Sequence, residues 1–155
     1  VTAAGPEPDD GPAAHRVQVV FDCASPRQLA RFWCLAMNYV EQPPPAGHDS
    51  WDAFADEVGI PVSERFKFGA AVDPANRGPR LLFLWVPEEK AVKNRVHLDV
   101  SVGTLPHGSD ERKAAVREHA QRLVAAGATL VGERNDNISW WIVLTDPEGN
   151  EFCLQ

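Results

Sequence analysis

The chain contains no run of about 20 consecutive apolar residues, so a membrane-spanning helix is not expected. It also lacks a charged-then-apolar leader, and secretion is not expected. Cysteine is scarce. Cys23, Cys34 and Cys153 are an odd number without Cys-x-x-Cys spacing, which excludes a disulfide framework. They predict buried, reduced thiols in a cytoplasmic protein. Basic residues are in the minority, 15 Lys and Arg against 22 Asp and Glu, for a formal net charge of −7. With no basic stripe, a nucleic-acid partner is not expected. Lys90, Lys93 and Arg95 form only a small basic cluster, read as a solvated turn. There is no glycine-rich phosphate loop, no Gly-x-Ser-x-Gly elbow and no His-Glu-x-x-His.

What is present is an ordinary globular composition: 155 residues, 44% hydrophobic and 24% charged. That length suits one domain. Residues 1–14 are rich in Pro, Gly, Ala and Asp without periodicity and read as a disordered tail, leaving 15–155 as the domain. Residues 17–22 alternate as a strand. Ser25-Pro26-Arg27-Gln28 marks a helix start, with Ser25 as cap, Pro26 at the first helical position and Gln28 reaching back. Leu29, Phe32, Trp33, Ala36 and Met37 then follow at helical spacing, and Pro43-Pro44-Pro45 prevents continuation. A second helix is predicted from Asp49 or Ser50 to Val58, stopped by Gly59. Residues 66–72 and 80–86 read as a strand pair around Asp73-Pro74-Ala75-Asn76-Arg77-Gly78. The second of these strands is apolar on both faces, which predicts a strand covered on both sides.

The order then recurs. A strand is predicted over 96–102, a helix from Ser109 to Gly127, strands over 129–131 and 139–144, and the turn Asp146-Pro147-Glu148-Gly149-Asn150 before a last strand. In Arg95-Val96-His97-Leu98-Asp99-Val100, His97 and Asp99 are two apart and leave the same strand face. An imidazole beside a carboxylate can bind, titrate or ligate, and the pair is the candidate catalytic site, with His97 as acid or base. Five Trp residues are many for this length. Trp33 reads as core, Trp51 and Trp85 as candidate lining for a flat or apolar ligand, and Trp140 and Trp141 as facing opposite sides. His48, His107 and His119 are expected to face solvent.

Two strand–helix–hairpin halves, with His97-Leu98-Asp99 opening the second and Asp146-Pro147-Glu148-Gly149-Asn150-Glu151-Phe152 closing it, resemble the vicinal oxygen chelate superfamily of glyoxalases, bleomycin-resistance proteins and extradiol dioxygenases. The stretches Leu81-Leu82-Phe83 and Ala30-Arg31-Phe32-Trp33 carry the same likeness, specifically to its glyoxalase-like domains. The resemblance implies an α+β fold of two βαβββ modules, about 16–90 and 94–155, forming a half-open barrel-like sheet around a cavity. In metal-dependent relatives it implies ligands from the first and last strands of each module. Here those positions hold Gln18 or Val20, Leu82 or Leu84, His97, and Cys153 with Glu151 two residues earlier. Gln18, Glu151 and Cys153 therefore join Trp51 and Trp85 as candidate ligand-binding residues. Zinc on His97 and Cys153, completed by Gln18 or water, is chemically allowed, but so incomplete a shell predicts no resident divalent ion. The expected function is binding of a small organic molecule between the modules, with lyase or isomerase chemistry at His97. The alternative is a non-catalytic binding protein of bleomycin-resistance type. The resemblance also implies a homodimer as one assembly open to the chain.

Overall fold

A computed structural model describes residues 15–136 and 138–155. The tail assigned to 1–14 lies outside the described residues. The first module runs β1 (Gln18–Cys23), α1 (Pro26–Met37), β2 (Val40–Glu41), α2 (Trp51–Glu57), a 3₁₀ helix (Val62–Lys67), β3 (Phe68–Val72) and β4 (Arg80–Trp85). The second runs β5 (Leu98–Val100), α3 (Asp110–Ala125), β6 (Thr129–Asn135), β7 (Trp140–Thr145) and β8 (Glu151–Leu154). Each module forms a four-stranded sheet, in the orders β1-β4-β3-β2 and β5-β8-β7-β6. In each, the first strand pairs in parallel with the last and the other pairings are antiparallel. The duplicated order is thus a duplicated topology. The sheets stay open and do not close into a barrel.

The helices cover one face of the sheets. Leu29, Ala30 and Trp33 of α1 and Val116, Ala120 and Leu123 of α3 bury against Leu81, Phe83, Leu144 and Phe152 in a single core spanning both modules. Trp33 and Phe152 meet across the modules at 5.1 Å between ring centroids, and Phe21 stacks on Phe83 at 5.1 Å. Helix α1 sits so close to β3 that a Cβ on Gly69 would lie 2.7 Å from the Pro26 carbonyl oxygen, which is why that position has no side chain.

Several local expectations change. The Ser25 side chain does not cap α1. The Glu148 carboxylate, from the β7–β8 turn of the other module, accepts from the Ala24 and Ser25 N–H groups at 2.7 and 2.8 Å, placing a negative charge at the positive end of α1. Strand β4 is covered on one face only: Leu81 and Phe83 are fully buried, whereas Leu84 is exposed. Periodicity found its position inside the sheet but not the open side. His119 does not face solvent. It is buried, with Nε2–H donating to the Ala36 carbonyl of α1 at 3.0 Å and Nδ1 accepting from Arg122 at 3.2 Å. The last carbonyls of a helix have no partner within it, and His119 supplies one. Strand β5 is shorter than the 96–102 expected and leaves His97 just ahead of it.

Candidate functional site

The uncovered face is set by register. On β1 and β4 it carries Gln18, Val20 and Asp22 beside Arg80, Leu82 and Leu84, since these pair in parallel and in step. On β5 and β8 it carries Asp99 beside Cys153. His97 reaches the same place from the residue before the strand. Its Nε2 lies 3.4 Å from an Asp99 carboxylate oxygen, and both side chains are about half exposed. One ligand atom each of His97, Asp99 and Cys153 lies within 4.8 Å of the others. A recess of about 280 Å³ opens beside this cluster, where β1 and β5 face each other across the seam between modules. Val20 and Asp22 line it from one module, His97, Asn94 and Glu151 from the other.

The electrostatics separate the members of this group. Burial, reinforced by the Asp99 carboxylate, pushes the Cys153 thiol up to about 11, so it stays protonated at neutral pH. Burial likewise raises Cys23 to about 12 and Cys34 to about 11; Cys23 and Cys153 are buried as expected, whereas Cys34 is only partly buried. Glu151 has a different task. Its carboxylate accepts from the Asn94 N–H at 2.9 Å and from Lys93 at 3.3 Å, with Lys90 at 3.6 Å. The Asn94 backbone bond, helped by the two lysines, holds it down to about 2. The cluster Lys90–Lys93 is therefore engaged by the protein's own carboxylate, clasping the connection between modules to the start of β8.

The remaining candidates are dispersed. Gln18 accepts from Arg80 at 2.7 Å, and Trp51 packs edge-on to Phe68 at 5.9 Å with its indole N–H on the Gln42 carbonyl. Trp51, Gln42 and Arg80 line a second pocket, of about 500 Å³, on the first module, and Gln18 reaches it only through its bond to Arg80. Trp85 lies at the end of β4 against Phe66 and under Lys67, away from both cavities. Trp140 packs beneath Arg117 of α3, while Trp141 takes the opposite face of β7. The sequence marks Asp22 as holding a place on the first strand similar to that of the His97–Asp99 pair, or as simply preceding the helix, and it gives no role to Asn94 in the recess or to Arg80 in the second pocket. The one signal for Arg80 was a charge opening an otherwise apolar strand.

A glyoxalase-like domain model matches residues 18–155, nearly all of the described chain. The chain belongs to the glyoxalase-like domain family. Among solved structures it is similar to a glyoxalase/bleomycin resistance protein/dioxygenase family enzyme from Burkholderia phytofirmans, with 18% identity, a TM-score of 0.58, and 88% of this chain and 94% of that one covered. It is similar also to the fosfomycin resistance protein FosX from Listeria monocytogenes, with 12% identity, a TM-score of 0.59, and 92% and 93% covered. A glyoxalase family protein from Bacillus cereus shares 15% identity with a TM-score of 0.57, over 94% and 95% of the two chains. No curated protein matches the chain. At these identities the solved structures establish the fold alone. The glyoxalase-like module pair accounts for the open sheet, the seam and the duplicated Asp-Pro turns.

A variant of the Listeria protein has been solved with Mn(II) and a dihydroxypropylphosphonic acid. The donors here do not suit such a hard ion, which takes oxygen ligands. His97, Asp99 and Cys153 supply a single carboxylate, and all three come from the second module. Across the seam the first module offers Val20 and Asp22; the Asp22 carboxylate is not among the ligand atoms gathered within 4.8 Å, and Gln18 is held by Arg80. Among the described residues no helix is long and apolar enough to cross a membrane.

Proposed function

We propose that this glyoxalase-like domain binds a small organic molecule in the recess between its modules and that His97 exchanges a proton with it, without a resident divalent ion. The observation that supports this reading best is the His97–Asp99 pair at 3.4 Å on the open side of the seam. A carboxylate at that distance orients the imidazole, which is what a positioned acid–base histidine needs. Cys153 contributes shape and a weak donor rather than a nucleophile, because its thiol is held protonated. Asp22 and Val20 provide the opposing wall, one polar and one apolar.

A thermal-shift screen of small organic acids, aldehydes and amides tests the proposal. Hits should stabilise the wild type and lose affinity about tenfold or more in His97→Ala, the worth of one charge-assisted contact. Hits unaffected by His97→Ala would contradict it. Elemental analysis should find no stoichiometric zinc, nickel, iron or manganese; metal that is lost on His97→Ala would overturn the metal-free part.

A second reading, sequestration without turnover as in a resistance protein, is favoured by the apolar part of the recess lining, Val19, Val20, Phe21, Val96 and Leu98, which offers no group for chemistry. Saturable binding with no product from any hit, and with an effect of His97→Ala on affinity alone, selects this reading.

A further inference from the structure

The second pocket has no part in the preceding proposal and shares no lining residue with the recess at His97. Its floor is the open face of the first sheet, Leu82, Leu84 and Phe68, with Trp51 standing edge-on to Phe68. At one end lies Arg80. Its Nε donates to the Gln42 side-chain oxygen at 2.6 Å and one Nη1–H to the Gln18 side-chain oxygen at 2.7 Å. Both partners are neutral amides. Among the described residues no carboxylate forms an ion pair with Arg80. Guanidinium carries five N–H donors, so these two bonds leave three, both hydrogens of Nη2 among them, for a carboxylate. Burial of Arg80 already lowers its pKa, the sign of a charge partly stripped of water without a compensating anion. The rim adds no net acid. Glu41 is engaged by Arg31 at 3.1 Å and Asp52 by Arg65 at 3.5 Å, while Arg27 donates only to the Arg65 carbonyl. A locally cationic pocket thus sits in a chain whose formal charge is −7.

We infer that this pocket is a binding site for a small organic carboxylate with a flat apolar body, the carboxylate paired with Arg80 and the body laid on Leu82, Leu84 and Phe68 beside Trp51. Two amide oxygens aim the guanidinium without neutralising it, and the apolar floor rewards burial of a ring system.

The probes are 2-naphthoate and its neutral counterpart 2-naphthamide, titrated calorimetrically into the full chain. 2-Naphthoate should bind the wild type saturably, about tenfold or more tighter than the amide. Arg80→Met, which keeps the aliphatic stem, should abolish that preference while leaving the weak amide affinity within about twofold. His97→Ala should bind 2-naphthoate like the wild type, which separates this site from the recess. If Arg80→Met is poorly folded by circular dichroism, salt serves instead: raising sodium chloride to about 0.5 M should weaken 2-naphthoate and spare the amide. Equal affinity for both probes, absence of saturable binding, or a preference that survives Arg80→Met or high salt would overturn the inference.

Discussion

At the scale of single residues, similar side chains are sorted by what surrounds them. Cys153 and Glu151 are two apart on one strand and share a face, yet one is held protonated at about 11 and the other ionised down to about 2. The thiol is buried next to a carboxylate. The carboxylate accepts a backbone N–H and lies against two lysines. For Cys153 the expected result is slow alkylation by iodoacetamide in the folded protein at pH 7, with rapid labelling only after denaturation; peptide mass spectrometry reads this directly. For Glu151 the sign follows from a depressed carboxyl. Its contribution to stability is fully present above its ordinary value of 4.5 and is lost as pH falls toward about 2. The wild type should therefore lose its advantage over Glu151→Gln between those limits, measured by urea unfolding at stepped pH. An advantage that grows on acidification would contradict the clasp.

At the scale of elements, the turn Asp146-Pro147-Glu148-Gly149-Asn150 does more than reverse the chain. The buried Asp146 accepts from the Glu148 and Asn150 N–H groups at 3.0 and 2.9 Å and from the Trp33 indole N–H at 3.1 Å, so the turn is tied to α1 of the other module. Asp73 in the first module accepts from Ala75, Arg77 and Gly78 N–H groups, the same device without the cross-module tie. Asp146→Ala should cost about 2–4 kcal/mol in chemical denaturation, because it leaves the buried Trp33 indole N–H and several part-buried donors unpaired, while Asp146→Asn should cost less. The elements themselves were largely legible. The stripe from Leu29 to Met37 identified α1, and punctuation by Gly59 and Gly127 marked helix ends. Strand β5 was read too long because alternation continues through Val96 whereas its partner β8 begins only at Glu151. His97 and Asp99 were legible as neighbours from spacing alone. Arg80 was not, because its meaning depends on Gln18 and Gln42, 62 and 38 residues away, arriving beside it. The cap supplied by Glu148 and the burial of His119 were hidden for the same reason: both are contacts between modules.

At the scale of the whole molecule, those contacts make the two modules one body. Trp33 to Asp146, Glu148 to the start of α1, and His119 to the end of α1 all cross between halves, and the shared core continues beneath them. The recess at the seam consequently has walls from both modules that are tied together, the Trp33–Asp146 and His119–Ala36 bonds being buried. The most direct test follows the His97 imidazole itself. Side-chain nitrogen–proton correlation spectra are recorded while the strongest hit of the thermal-shift screen is titrated in. The His97 resonances should shift along the same isotherm as binding, and those of His48, bonded to Glu57 on another surface, should not. Binding that saturates while the His97 resonances stay in place would contradict the proposed role of His97.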